Sequence, residues 1–234
     1  MYEPQLKLDD SELANNPNTR IPICIALDVS GSMIGTKIDE LNRGVKIFLD
    51  SIHEDETTRY SADIAILTFG GTVEKVLDFG GGKGGYWWHF KLPKFLARGG
   101  TPMGEAVLEA LDMLEDRKKQ YQKNAVTYWQ PWLVLMTDGA ATDGEHALPN
   151  KVAMAAEKTC DLVKNKKLTL FSIIIEPGTP DELEKFCGKL APLDGVKFEE
   201  FFVWLSQSVS VVSESSPGTR LKLPDPTSWT TIEW

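Results

Sequence analysis

Four predominantly apolar runs divide the chain, and each has the length of a buried strand. They lie at 23–29, 64–69, 133–136 and 168–175. Apolar and polar positions hardly alternate within them, which is typical of strands covered on both faces of a sheet. A further segment, 73–79, follows the second run after Gly70-Gly71-Thr72, a tight turn that suits a hairpin. That segment is therefore predicted to be an antiparallel strand at the edge of the sheet.

Helical periodicity occupies the segments between these runs. Apolar residues recur at three- and four-residue spacing in three places, which predicts three amphipathic helices. The recurring positions are Ile38, Leu41, Val45, Phe48, Leu49 and Ile52; Ala106, Val107, Ala110, Leu111 and Leu114; and Val152, Ala155, Thr159, Leu162 and Val163. A short helix is predicted at 181–190, opened by Thr179-Pro180, and a last helix at 201–212.

The alternation of strands and helices predicts the fold class. We expect an α/β fold with a doubly wound, mostly parallel sheet, one antiparallel edge strand and helices on both faces. One domain is expected over residues 21–213, after a polar lead-in at 1–20 and before a tail at 214–234. The tail's apolar residues either pack back on the domain or contact a partner, and the sequence leaves both open. They are Leu221, Leu223, Trp229, Ile232 and Trp234.

Composition and charge exclude several classes of function. The net charge of −9 argues against binding of nucleic acid, which requires a basic surface. No run approaches the roughly 18 apolar residues of a membrane span, and the acidic N-terminal segment has no apolar core of a secretory signal. Cys24, Cys160 and Cys187 are far apart, so three buried free thiols are expected rather than a zinc site or a disulfide. These features together predict a cytoplasmic protein.

Oxygen-bearing side chains follow two of the predicted strands and precede one predicted helix. Asp28 lies at the end of the first apolar run and Ser30 and Ser32 just after it; Asp138 follows the third run, and Thr101 precedes the second helix. Ligands of open α/β sheets gather at the carboxyl ends of strands, so we expect these side chains to meet. Two carboxylates and three hydroxyls are the donors that hard cations prefer. The set predicts a site for Mg²⁺, with Mn²⁺ and Ca²⁺ as alternatives, which attracts an external carboxylate.

The loop before the second helix combines two glycines with a capping residue. Gly99 and Gly100 permit a tight backbone path, Thr101 is predicted to be the helix N-cap, and Pro102 suits the first turn.

Three segments together resemble a known metal-binding motif. Asp28-x-Ser30-x-Ser32, Gly99-Gly100-Thr101-Pro102 and Thr137-Asp138-Gly139 are similar to the metal-ion-dependent adhesion site of von Willebrand factor type A domains. The resemblance spans residues 21–213. It implies a Rossmann-like fold, Mg²⁺ at the top of the sheet, and a protein partner whose Asp or Glu completes the coordination.

The resemblance also assigns roles to the candidate ligands. It implies that Ser30, Ser32 and Thr101 coordinate through their hydroxyls, while Asp28 and Asp138 bind directly or through water. Within the family, the chain is most similar to the bacterial tellurium-resistance TerY-like proteins, on the basis of residues 13–17 and 201–216. That subgroup implies a stress-resistance or defence system, with kinase- or phosphatase-like proteins as candidate partners.

The sequence predicts a non-enzymatic, metal-dependent protein-interaction module. Two alternative functions remain open. A Mg²⁺-dependent phosphatase of the haloacid dehalogenase type also has an Asp after its first strand. Such enzymes generally have a second Asp two residues on, where this chain has Ser30. The other alternative is a metal-free scaffold in which the site is vestigial.

A glycine-rich and aromatic segment offers weaker signals. Gly80-x-Gly82-x-x-Gly85 has the spacing of a dinucleotide fingerprint, but no long helix is predicted to follow it, so nucleotide binding is not expected. The aromatic loop at 86–90 either packs on the domain or forms a contact surface.

Overall fold

Six strands form one sheet at the centre of the structure, a computed structural model that describes residues 13, 16–80, 87–89, 91–144, 147–216 and 219–231. The strands are β1 (Ile21–Asp28), β2 (Ala62–Gly70), β3 (Thr72–Leu77), β4 (Trp132–Thr137), β5 (Thr169–Ile175) and β6 (Lys189–Leu193). Their order across the sheet is β3-β2-β1-β4-β5-β6. Neighbouring strands are parallel, except that β2 and β3 are antiparallel. The predicted sheet, with its antiparallel edge strand, is confirmed.

Helices cover both faces of the sheet. They are α1 (Thr36–Glu54), α2 (Glu56–Ser61), α3 (Met103–Lys123), α4 (Lys151–Lys164), α5 (Asp181–Glu184) and α6 (Phe198–Ser213). The apolar faces of α1 and α6 share one core, and those of α3 and α4 share another. No helix in the described part of the chain is long and apolar enough to cross a bilayer.

The central strands contribute side chains to both cores. Ile23 and Ile25 of β1 face α1 and α6, whereas Cys24 and Ala26 face α3 and α4. Successive strand residues point to opposite faces, and both faces are covered. This explains why the sequence shows continuous apolar runs rather than alternation.

The predicted helix at 181–190 is wrong beyond its first turn. Helix α5 ends at Glu184, and β6 begins at Lys189 in parallel register with β5. Without β6, the outer edge of β5 would have no strand to satisfy its N–H and C=O groups. A short apolar run does not by itself distinguish strand from helix, so pairing with β5 decides the conformation.

The expectation of three free thiols is also wrong. Cys160 on α4 and Cys187 before β6 form a disulfide across 27 residues of sequence, while Cys24 is a buried free thiol. The fold brings the two Cα atoms to 5.1 Å, a proximity that their sequence spacing does not indicate. The cysteines therefore no longer support a reducing compartment.

Three apolar residues of the tail pack back on the domain. Trp229 is fully buried, and Leu221 and Leu223 are partly buried against the core beneath α6. The indole Nε1 of Trp204 donates to the carbonyl of Pro224 at 2.9 Å, which fixes the tail to α6. Ile232 and Trp234 lie outside the described residues. The division of the chain at residues 20 and 213 stays a prediction.

Candidate metal centre

The predicted site lies where the carboxyl ends of β1 and β4 meet. These strands are neighbours at the centre of the sheet, with Leu27 in register with Met136. From β1 the sheet extends to β2 on one side and to β4 on the other, so this is the topological switch point at which open α/β sheets bind ligands. Asp28 is the last residue of β1, and Asp138 directly follows β4. The register therefore sets the two carboxylates side by side.

Hydrogen bonds connect the two carboxylates through Ser30 and Ser32. Asp28 Oδ1 accepts from the backbone N–H of Ser30 at 2.7 Å, and the hydroxyls of Ser30 and Ser32 lie 2.9 Å apart. Ser32 Oγ donates to Asp138 Oδ1 at 2.6 Å. The other oxygen of Asp28 accepts from the hydroxyl of Thr137. Four of the five predicted residues thus form one continuous network.

Thr101 joins this group from the loop before α3. The hydroxyls of Ser32 and Thr101 both face Gly139, at 3.7 and 3.9 Å from the position that a Cβ on that glycine would occupy. The loop is held against the first one because Gly31 donates its N–H to the carbonyl of Gly99 at 2.9 Å. The structure therefore brings all five predicted residues to one end of the sheet.

The prediction that Thr101 is the N-cap of α3 is wrong. The N-cap is Pro102, which makes no side-chain capping bond. Instead, the Asp143 carboxylate accepts from the N–H groups of Gly104 at 3.0 Å and Glu105 at 2.7 Å. A residue from the loop after β4 thus caps the helix, and the Thr101 hydroxyl is not used for that purpose.

Gly99 allows the loop to approach the hairpin between β2 and β3. Its φ is +69°, and a Cβ at this position would lie 2.6 Å from the Cα of Gly71. A side chain would therefore both clash and strain the backbone. The absence of a side chain at Gly99 therefore lets the Thr101 loop lie against the turn between β2 and β3.

The electrostatics of the site favour a cation. Asp28 is 1% exposed and Asp138 is 7% exposed. Burial raises the pKa of Asp28, against the hydrogen bonds from Ser30 and Thr137, and the charge of Asp138 adds to the increase. Lys37 bonds Asp138 Oδ2 and neutralises one of the two charges. A divalent cation would neutralise both.

The donor set fits a hard divalent cation. Among the residues described, no group of three or more His, Cys, Asp or Glu side chains could hold a metal. The carboxylates of Asp28 and Asp138 would therefore need the hydroxyls of Ser30, Ser32 and Thr101 as further ligands. Carboxylate and hydroxyl oxygens suit Mg²⁺, Mn²⁺ and Ca²⁺ better than soft metals.

Sequence reasoning missed Lys37 and Asp143 as neighbours of the site. Lys37 lies in the first turn of α1, and Asp143 lies in a polar loop. Neither position belongs to an apolar pattern or to the motif. Only the folded arrangement of the three loops reveals their contacts.

The glycine-rich and aromatic signals lie apart from this centre. Gly82, Gly85, Tyr86 and Phe90 fall outside the described residues. Trp88 is half-buried, and its ring meets that of Tyr60 edge to face at 5.5 Å. For Trp88, packing on the domain is therefore the reading that the contacts favour.

Comparison with known proteins agrees with this fold. A model of the von Willebrand factor type A domain matches residues 23–202. No curated protein matches the chain.

Solved structures share the fold at low sequence identity. The vWF domain of the type V pili tip protein Mfa5 from Porphyromonas gingivalis has a TM-score of 0.62 and 12% identity, over 86% of this chain and 99% of that one. Mussel byssus proximal thread matrix protein 1, with a zinc-occupied MIDAS motif, gives 0.52 and 15%, over 82% of this chain and 48% of that one. Manganese-loaded TRAP protein from Plasmodium vivax gives 0.50 and 19%, over 80% and 74%. This chain therefore spans about half the length of the mussel protein.

The family model covers most of the chain, and the solved structures share its fold over more than three quarters of its length. The chain belongs to the von Willebrand factor type A domain family.

Proposed function

We propose that the protein is a non-enzymatic interaction module that binds the carboxylate of a protein partner through a divalent cation. One observation carries the proposal: two buried carboxylates and three hydroxyls converge at the switch point of the sheet. This set supplies oxygen ligands for a cation at the surface where the fold places its binding loops.

The cation is proposed to be held by Asp28, Ser30, Ser32, Thr101 and Asp138. When bound, it would supply positive charge that attracts an Asp or Glu of the partner. Mg²⁺ is proposed first because the ligands are hard oxygens, with Mn²⁺ and Ca²⁺ as alternatives. The zinc and manganese in the two metal-loaded neighbours support a divalent cation without selecting one.

Exposed apolar side chains on the ligand-bearing loops agree with a protein partner. Ile34, Leu96 and Leu148 are 70%, 69% and 99% exposed, and each lies on a different one of the three loops that carry the candidate ligands. Apolar side chains exposed on the ligand-bearing loops are available for contact with a protein whose carboxylate reaches the cation.

The phosphatase alternative lacks an acid–base residue at the expected position. Ser30 occupies the place of a second Asp, and its hydroxyl bonds that of Ser32. Catalysis of this type needs a group that exchanges a proton near the operating pH. We therefore propose coordination rather than catalysis; Mg²⁺-dependent turnover of an aryl phosphate that Asp28→Asn abolishes would contradict this.

The cellular setting is a further proposal. A role in a bacterial stress-resistance or defence system, with kinase- or phosphatase-like partners, rests on the resemblance to the TerY-like proteins. A cytoplasmic location is proposed on the sequence features that predict it, apart from the cysteines. Affinity purification from the native host, with wild type and Asp28→Ala compared, would identify the partner.

Calorimetric titration tests the metal site directly. We expect Mg²⁺ or Mn²⁺ to bind the wild-type protein, and Asp28→Ala or Asp138→Ala to lose that binding. Asp50→Ala is the matched control, because Asp50 is an exposed acid paired with Lys46 on α1. Retention of metal binding in both site variants would reject the proposed site.

A further inference from the structure

Lys37 reaches from the first turn of α1 into the candidate metal centre. Its Nζ bonds Asp138 Oδ2, while Ser32 bonds the other oxygen of the same carboxylate. The Lys37 side chain is 21% exposed, and that of Asp138 is 1% exposed. By contrast, Lys46 on the same helix pairs with Asp50 in solvent. Lys37 is therefore part of the buried network and not only of the charged surface.

The charges of the centre make the ammonium and a divalent cation alternatives. Asp28 and Asp138 carry two negative charges, of which Lys37 neutralises one. A divalent cation neutralises both, and an ammonium retained beside it would leave an excess positive charge. Like charges a few ångströms apart in a partly buried site repel strongly. Simultaneous occupation is therefore unfavourable.

The lysine side chain is suited to leave the carboxylate. Its ammonium is a compact charge on a flexible four-carbon stem, so it can move into solvent without a change in the backbone. The partial exposure of Lys37 leaves it a path to solvent.

We propose that Lys37 competes with the divalent cation for Asp138 and so lowers the affinity of the centre for metal. This inference rests on the proposed function, because it requires a metal at these residues. Lys37 is not a ligand in this scheme. It neutralises Asp138 when the cation is removed, and it sets the cation concentration at which the centre fills.

Titration of the Lys37 variants with Mg²⁺ and Mn²⁺ alone tests the inference. Lys37→Met keeps most of the apolar stem and removes the charge, so we expect the dissociation constant to fall by about tenfold or more. Lys37→Arg keeps the positive charge, so we expect its dissociation constant for the cation to stay within about threefold of the wild-type value. Lys46→Met is the control on the same helix and should leave the affinity unchanged.

Thermal unfolding supplies a second readout that needs no partner. In EDTA, Lys37→Met should melt below the wild-type protein, because Asp138 loses its counter-charge. In saturating Mg²⁺ the same variant should gain more in Tm than wild type does. Lys37→Gln serves the same comparison if the methionine variant does not fold.

The outcomes separate the two proposals. If wild type binds metal in an Asp28-dependent way and Lys37→Met binds it equally or more weakly, the competition is overturned and the metal site stands. If neither the wild type nor Lys37→Met binds either cation, both the metal site and the role of Lys37 are overturned. Tighter binding by Lys37→Met but not by Lys46→Met supports the competition.

Discussion

At the scale of single residues, Thr101 and Asp143 divide two tasks that the sequence assigns to Thr101 alone. Asp143 caps α3, and Thr101 contributes only its hydroxyl to the centre. Loss of an N-cap costs about 1 kcal/mol. We therefore expect Asp143→Ala to lower the free energy of unfolding by about 1 kcal/mol, whereas Thr101→Ala lowers it by less and weakens metal binding more.

Urea unfolding in EDTA and calorimetric titration with Mg²⁺ measure the two effects separately. A larger loss of stability in Thr101→Ala than in Asp143→Ala would contradict this division.

A buried ion pair between β2 and α3 predicts how the stability of the fold depends on pH. Asp63 at the start of β2 accepts from Arg117 Nε at 2.5 Å and from the hydroxyl of Tyr121. Burial raises the pKa of Asp63, but the charges of Arg117 and Arg20 and the bond from Tyr121 outweigh it, so the net pKa is lowered. A carboxyl with a lowered folded-state pKa stabilises the fold above its unfolded pKa of about 3.9, and this contribution is lost as the pH falls.

We expect Asp63→Asn to cost about 3–5 kcal/mol near neutral pH, because Arg117 is left buried without its counter-ion. The difference from wild type should narrow below about pH 4, because the unfolded wild-type chain then takes up a proton at Asp63 that the folded protein resists. Urea unfolding at several pH values measures this. An equal difference at pH 7 and pH 3 would show that the ionised form of Asp63 contributes nothing. Asp50→Asn, in an exposed pair, should change stability by less than about 1 kcal/mol.

At the scale of secondary-structure elements, the disulfide ties α4 to the start of β6. Closing a loop of 27 residues restricts the unfolded chain and stabilises the fold by about 3.5 kcal/mol. We expect Cys160→Ala to lower the free energy of unfolding by about that amount in the absence of reductant, and wild type with dithiothreitol to resemble the variant. Intact-mass spectrometry under non-reducing conditions checks the bond. Equal stability of wild type with and without reductant would contradict its contribution.

The elements differ in how far the sequence predicts them. The central strands and the helices α1, α3 and α4 follow from apolar runs and from helical periodicity, because both faces of the sheet are buried. Strand β6 and the Cys160–Cys187 bond depend on contacts between distant segments, which no local pattern encodes. The five candidate ligands could be predicted because strand ends of a parallel sheet converge, whereas the contact of Lys37 depends on where α1 begins.

At the scale of the whole molecule, a cation that binds only the folded protein must stabilise it. At a concentration about 100-fold above the dissociation constant, the gain is about 2.7 kcal/mol. We expect the Tm to rise with Mg²⁺ concentration in wild type and to stay constant in Asp28→Ala. A flat response of the wild type across millimolar Mg²⁺ and Mn²⁺ would instead favour the metal-free scaffold.

The two edges of the sheet have a consequence for self-association. At one edge, β3 exposes Glu74 and Lys75, and at the other, β6 contains Pro192, which has no N–H to donate to a further strand. Charged side chains and proline at edge strands discourage edge-to-edge pairing and aggregation. We therefore expect copies of this protein to stay separate in a crowded solution instead of joining their sheets edge to edge.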